Sequence, residues 1–175
     1  LAPSLADADA EATLTRTEVD PAELLARCAA DHAALAESRR IDLGVSDDSA
    51  ASGALRLSGD PHALAILVAN LVGNALRYTP AGGRVDLWCG VAGDDIVIRV
   101  DDDGPGIAPA ERERVFDRFY RTDYASTGPH GEHGSGLGLS IVRQVADRHG
   151  ASVSLLDKPS GPGLRVEVRF PAETS

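Results

Sequence analysis

Apolar residues recur along this chain with two different periods, and each change of period marks an element. Behind Asp20-Pro21-Ala22-Glu23, Leu24, Leu25, Cys28, Ala29 and His32 stand at helical spacing. An acidic N-cap, a proline at the first helical position and a glutamate three residues after the cap signal a helix start. Asp60-Pro61 repeats the device and opens the most apolar segment, Ala63 to Tyr78, which Thr79-Pro80 and Gly82-Gly83 close. A third helix is predicted from about Leu137 to His149, with Gly150 as its left-handed cap. Period two appears at the end, where Leu164, Val166, Val168 and Phe170 alternate with Arg165, Glu167 and Arg169, so one face of that strand is buried.

Shorter signals complete the pattern. Ile41 to Val45 and Leu55 to Leu57, separated by SDDSAAS, predict a hairpin. Arg84 to Val91 and Ile96 to Val100 predict a strand pair joined across Ala92-Gly93-Asp94, and a further strand precedes the last one. Ala110 to Phe119 predicts a short helix, and the Gly-, Ser-, Pro- and His-rich stretch from Thr122 to His133 a loop. The architecture expected is α/β: a two-layer sandwich of a mixed sheet of about five strands with three helices on one face. Residues 1–19 are small, polar and acidic and read as a linker or the end of a preceding element; 20–172 form the domain, and 173–175 a tail.

Composition narrows the class. The chain has 175 residues, near one domain, with 17 basic against 27 acidic residues and a formal charge of −10. That balance argues against non-specific nucleic-acid binding and against docking on acidic lipid, so an anionic ligand must be held by local groups. No apolar run of bilayer-spanning length occurs. With no methionine and Leu1 first, the chain is expected to be a piece of a longer protein. Cys28 and Cys89 form no CxxC pair and read as buried thiols.

Three motifs carry chemistry. Within the apolar segment 63–78, Asn70, Asn74 and Arg77 are four and three residues apart, which puts them on one helical face. Such a stripe faces water or a ligand, because buried amides without partners are costly. Next, Asp101-Asp102-Asp103-Gly104-Pro105-Gly106-Ile107 directly follows a strand. Glycines two apart let backbone approach a flat ligand, and a carboxylate that accepts from an exocyclic amine selects adenine over guanine. A calcium loop lacks its spacing and closing glutamate here, which leaves an ordinary strand-to-turn connection as the plain alternative. Third, Gly134-Ser135-Gly136-Leu137-Gly138-Leu139 stands at a helix entrance, where free amides suit phosphate oxygens. It is neither a Walker A loop nor a dinucleotide fingerprint.

Together these segments resemble the boxes of sensor histidine kinases. Asn70-Leu-Val-Gly-Asn74-Ala-Leu-Arg-Tyr-Thr-Pro80 is similar to their N box and Asp102-Asp-Gly-Pro-Gly106-Ile107 to their G1 box. Val115-Phe-Asp-Arg-Phe-Tyr-Arg121 is similar to their F box, and Gly134-Ser-Gly-Leu-Gly138-Leu139 to their G2 box. The resemblance covers about residues 20 to 171. It implies the left-handed βαβ (Bergerat) ATP-binding fold of the GHKL superfamily, an exception to the usual crossover hand.

The resemblance also implies roles. Asn74 would hold Mg²⁺ through its side-chain oxygen, with Asn70 helping to position metal or phosphates. Arg77 stands where the family usually has lysine, and Tyr78 would line the pocket. Asp102 would read adenine, with Gly104, Gly106 and Ile107 shaping its wall. Arg121, with Arg118, would approach the phosphates, while Phe116, Phe119 and Tyr120 anchor the lid by packing. Gly134, Ser135, Gly136, Leu137 and Gly138 would bind phosphate oxygens. Related ATP-hydrolysing enzymes often carry a glutamate where Asn70 stands, and an amide is no general base, which favours transfer over hydrolysis. A departure is Leu164-Arg165, which stands where small hydroxyl residues are often found.

None of His32, His62, His130, His133 or His149 has the context of a phosphoacceptor. The implied function is therefore the catalytic domain of a two-component kinase that uses Mg-ATP. Its partners would be a dimerisation domain carrying the acceptor histidine and a response regulator, and nucleic acid and membrane are not among them. The fragment is expected to be monomeric with little turnover alone, and its parent a homodimeric bacterial inner-membrane sensor with this domain in the cytoplasm. A chaperone- or topoisomerase-like ATPase, a serine kinase that binds sigma factors and a degenerate nucleotide-sensing scaffold are the alternatives.

Overall fold

The computed structural model describes residues 15–47, 55–117 and 138–172. Strand β1 (Thr17–Val19) leads into helix α1 (Pro21–Ser38), then β2 (Asp42–Asp47), β3 (Leu57–Gly59) and helix α2 (Pro61–Tyr78). Strands β4 (Arg84–Ala92) and β5 (Asp95–Asp102) follow, then two 3₁₀ turns (Pro109–Glu111 and Arg114–Phe116), helix α3 (Gly138–Arg148), β6 (Ser152–Asp157) and β7 (Leu164–Phe170).

Both acidic caps act as the sequence implies. Asp20 accepts from the backbone N–H of Ala22 and Glu23, and Asp60 from those of His62 and Ala63, with Pro21 and Pro61 inside the first turns. These bonds hold the Asp60 carboxyl below its ordinary pKa, the Ala63 N–H contributing most. At the other end of the fold, Gly150 follows α3 with φ 65°.

Five strands form one sheet in the order β2-β4-β5-β7-β6, parallel between β2 and β4 and antiparallel elsewhere. One face carries the helices, where Leu67, Leu71, Val72 and Leu76 of α2 pack with Leu87, Ile98 and Val168 of the sheet and Val142 of α3. Burial of these apolar surfaces, at roughly 25 cal/mol per Å², is the main force holding the layers together. The other face is polar. There Arg165 pairs with Asp101, Arg99 with Glu167, and Arg84 with Asp42 and Asp86, while Arg99 also lies over the Trp88 ring at 4.4 Å. Such a face prefers water to a second helical layer, so the sandwich stays two layers thick.

Three expectations are corrected. The two stretches predicted as a hairpin separate: β2 pairs with β4 in parallel, and β3 pairs with β1. Sequence proximity favours the hairpin, but the six-residue ladder from Asp42↔Arg84 to Asp47↔Cys89 satisfies more backbone. Thr17–Val19, read as linker, are a strand, and Val19 is buried among Leu57 and the core. Third, 110–119 is not one helix. Its described part is two 3₁₀ turns, because Arg112 is drawn aside by the Ile107 carbonyl (3.0 Å) and Asp157 (2.6 Å). Residues 118 and 119 lie outside the described residues.

His149 locks the small sheet to the large one. Its buried ring accepts from the Asp60 N–H at Nε2 (3.1 Å), donates from Nδ1 to the Val145 carbonyl (2.8 Å), and meets Phe170 edge-on. His149→Ala strands the Asp60 amide and opens a cavity, so a loss of about 2–3 kcal/mol in urea denaturation is expected. An unchanged midpoint would show that the ring carries no structural load.

Candidate functional site

β5 ends in a turn built almost wholly of backbone. Asp102, its last residue, is 6% exposed, and its Oδ1 accepts from the backbone N–H of Gly104 (2.8 Å) and of Leu164 on β7 (3.3 Å). Among the described residues both hydrogen bonds fall on that one oxygen, which leaves Oδ2 for a ligand. Burial raises the carboxyl to about pKa 6, although both amides and the nearby Lys158 ammonium oppose the rise. Carboxylates perturbed in this way by desolvation cluster at functional sites, which makes Asp102 the candidate here.

Three glycines make the turn possible. A Cβ on Gly104 would stand 3.0 Å from Asp102 Oδ1 and 3.1 Å from the Tyr78 carbonyl, and one on Gly106 (φ 77°) 3.3 Å from the Gly163 carbonyl. At Gly163 (φ 143°) a Cβ would collide with the Asp102 carbonyl. Two chain segments distant in sequence therefore touch main chain to main chain around Asp102, at a closeness that side chains would prevent. Gly163→Ala combines a forbidden φ with this collision. It is expected to lower stability by roughly 3 kcal/mol or more and to displace Asp102; a melting temperature equal to the parent's would contradict this packing.

The polar stripe lies on α2, with Asn70, Asn74, Arg77 and Tyr78 all partly buried. Asn70 Nδ2 donates to the Ile66 carbonyl (2.8 Å), which fixes the amide and turns its oxygen away from its own helix. Gly138, the first residue of α3, sits directly on this stripe. A Cβ there would lie 3.1 and 3.2 Å from the two amide atoms of Asn74 and 3.5 Å from Asn70 Oδ1. The start of α3 thus faces two side-chain amides at close range, and a side chain at Gly138 would crowd both. Arg77 Nε is buried with no hydrogen-bond partner among the described residues, and its guanidinium is 6.0 Å from the Tyr78 ring centroid. Ile107 packs against the core with its carbonyl held by Arg112.

The structure thus brings Asp102, Gly104, Gly106 and the Tyr78 backbone into one wall, and gathers Asn70 and Asn74, one to two turns earlier on α2, with Gly138 of α3 into a second cluster. Arg118, Arg121, Gly134, Ser135, Gly136 and Leu137 lie outside the described residues. Phe116 packs under Arg143 of α3, whose guanidinium is 4.8 Å from its ring centroid, so that aromatic is structural. Sequence reasoning missed Gly163 as a wall residue and the backbone of Leu164 as a donor to Asp102. The glycine-proline-glycine run at 161–163 was the available signal.

Residues 59–174 match the family described as histidine kinase-, DNA gyrase B- and HSP90-like ATPase. Sensor-like histidine kinase SenX3 of Mycobacterium tuberculosis is 38% identical over 163 residues, 93% of this chain and 38% of SenX3. Sensor protein kinase PmrB of Pseudomonas aeruginosa is 46% identical over 108 residues, 62% of this chain and 22% of PmrB. The chain therefore spans well under half the length of these relatives. Among solved structures, the mycobacterial sensor histidine kinase MprB superposes with TM-score 0.74 at 29% identity, over 92% of this chain and 100% of that one. Full-length ShkA in complex with AMPPNP superposes with TM-score 0.78 at 28% identity, over 94% of this chain and 32% of that one. The mixed five-stranded sheet under three helices is shared with these kinases, and the chain belongs to the histidine kinase-, DNA gyrase B- and HSP90-like ATPase family.

Proposed function

We propose that this chain is the ATP-binding catalytic domain of a two-component sensor histidine kinase, passing the γ-phosphate of ATP to a histidine on a dimerisation domain. The observation that carries the reading is Asp102, a buried carboxylate beside glycine backbone with one oxygen tied to two backbone amides and the other without a hydrogen bond among the described residues. An ionised carboxylate only accepts hydrogen bonds. It therefore accepts from the 6-amino group of adenine and repels the carbonyl oxygen that guanine presents there. A hydrogen bond to a charged group contributes about 1.5–3 kcal/mol, enough for roughly ten- to hundredfold selection of ATP over GTP.

With the base held by Asp102, the triphosphate extends along α2 towards Asn70, Asn74 and the start of α3. The amide oxygen of Asn74 is a hard, neutral donor, and Gly138 keeps the space beside it free of side chain. Among the described residues no three His, Cys, Asp or Glu side chains converge. A divalent cation here would accordingly take one oxygen from Asn74 and its others from phosphates and water, the coordination Mg²⁺ prefers. When bound, Mg²⁺ neutralises charge on the phosphates. Gly138 and the residues before it would add backbone amides, Arg77 would supply positive charge from the last turn of α2, and Arg118 and Arg121 would supply it from the F box.

The imidazole nitrogen of the acceptor then attacks the γ-phosphorus, the bond to the bridging oxygen breaks, and ADP leaves. Asn70 offers no base for water, and neutral imidazole needs none to be a nucleophile. The domain organisation assigned to 20–172, a response-regulator partner and a cytoplasmic position in a membrane-bound parent belong to the same proposal. No helix among the described residues is long and apolar enough to cross a membrane.

The test has two arms. Calorimetric titration with ATP and GTP, with and without Mg²⁺, should give ATP binding that Mg²⁺ strengthens and little binding of GTP. Mixing the chain with a separately supplied dimerisation domain and radiolabelled ATP should then yield acid-labile phosphohistidine. Equal affinity for the two purines would refute the role of Asp102; tight ATP binding with no phosphohistidine would favour a nucleotide-sensing scaffold.

A further inference from the structure

Of the 17 basic residues 16 are arginine, and the one lysine, Lys158, stands beside the purine wall. β5 ends at Asp101 and Asp102, Asp103 follows directly, and each of the three carboxylates has a different partner. Asp101 points to the polar face of the sheet and is held by both ends of the Arg165 guanidinium, each contact 2.8 Å. Asp102 is buried and takes the backbone N–H groups of Gly104 and Leu164. Asp103 takes the Arg84 backbone N–H on Oδ2 (2.8 Å) and the Lys158 ammonium on Oδ1.

Lys158 is placed differently from the surface ion pairs. Its side chain is only 15% exposed, its stem runs along Gly163, where a Cβ would lie 3.3 Å from its Cδ, and its backbone N–H points to the Gly163 carbonyl at 3.5 Å. The β6–β7 connection, residues 158–163, is thereby tied through one ammonium to the strand end carrying Asp102. Among the described residues, the charged groups that act on Asp102 are few. Lys158 favours its charged form, Asp103 disfavours it, and the Arg84 charge acts on Asp103; Asp101 and Arg165 face the other side of the sheet.

We propose that Lys158 is a positioning residue for purine recognition, fastening the β6–β7 connection to the Asp102 turn and supplying the positive charge that balances two adjacent carboxylates. This rests on Asp102 as the adenine acceptor. An arginine there would spread its charge over a broad fork, whereas a compact ammonium fits between Gly163 and Asp103. Removing the ammonium takes away the cation and bares the Asp103 charge, and both changes make Asp102 harder to ionise.

ADP affinity measured by calorimetry between pH 5 and 8 tests this in the intact chain, with Lys158→Met, Lys158→Arg, Asp103→Asn and Asp102→Asn compared with the parent. The same nucleotide is used throughout, so titration of its own phosphates cancels between proteins. In Lys158→Met the pH at which affinity is half lost should rise by about half a unit or more, and Lys158→Arg, which keeps the positive charge, should reverse most of that rise. Asp103→Asn breaks the same ion pair yet removes a negative charge, so its midpoint should fall. A purely structural staple would move both variants the same way, and that result, or an unmoved midpoint in either, overturns the proposal. If Lys158→Met does not fold, Asp103→Asn alone decides by its sign. Failure of Asp102→Asn to weaken binding would instead refute the reading of Asp102.

Discussion

Asp102→Asn is expected to weaken adenine-nucleotide binding about ten- to hundredfold while making the domain more stable at neutral pH. Binding falls because an amide can accept on only one oxygen. With Oδ1 still needed by the Gly104 and Leu164 amides, its NH₂ group would face the purine amine, donor against donor. Stability rises because the buried carboxyl has its pKa raised to about 6 from the ordinary 3.8. An acid with a raised folded-state pKa binds more protons folded than unfolded between those two values, so folding is favoured as pH falls through about 6 and penalised above it. At about 1.4 kcal/mol per unit, the penalty at pH 7 is about 2–3 kcal/mol, and asparagine removes it. Urea denaturation of both proteins from pH 4 to 8 should show the variant's advantage at pH 7 shrinking towards pH 4. A variant that loses both affinity and stability would mean that Asp102 is structural.

For Asn74→Ala the expected result is different in kind: phosphotransfer falls at least about a hundredfold, while nucleotide binding without Mg²⁺ changes little. The base is held some distance along the fold by Asp102, and alanine is the best helix former, so α2 keeps its shape. What disappears is the side-chain amide of Asn74, which lies beside Gly138 at the start of α3 and would give the cation its oxygen. Calorimetry with and without Mg²⁺, beside transfer to a supplied dimerisation domain, separates these effects. Undiminished Mg²⁺-dependent transfer would remove Asn74 from the site.

Local sequence determined the elements that carry their own punctuation. The two Asp-Pro starts, the Gly150 cap and the alternation of residues 164–170 each depend on neighbours within one or two turns, and the structure has all of them. The four boxes likewise made the family legible, since spacing along one helix or one turn is preserved when the chain folds. Predictions that needed a distant partner fared worse. Whether 41–45 met 55–57 depended on a strand some forty residues away, and whether 17–19 had structure at all depended on β3. Charge-rich 110–117 had no apolar face of its own to decide its coil, and its shape came from Ile107 and Asp157.

The candidate site divides along the same line. From the sequence alone come the residue types: a carboxylate before paired glycines, two amides and a cation on one helical face, and a glycine-rich helix entrance. Only the tertiary structure decided that β7 supplies a backbone donor to Asp102, that Gly163 must be bare, and that the chain's single lysine lies against Asp103. The reason is physical. Residue chemistry and helical period are local properties of the chain, whereas burial, and the charge balance that burial makes costly, exist only once β5, β7 and α2 have closed around Asp102.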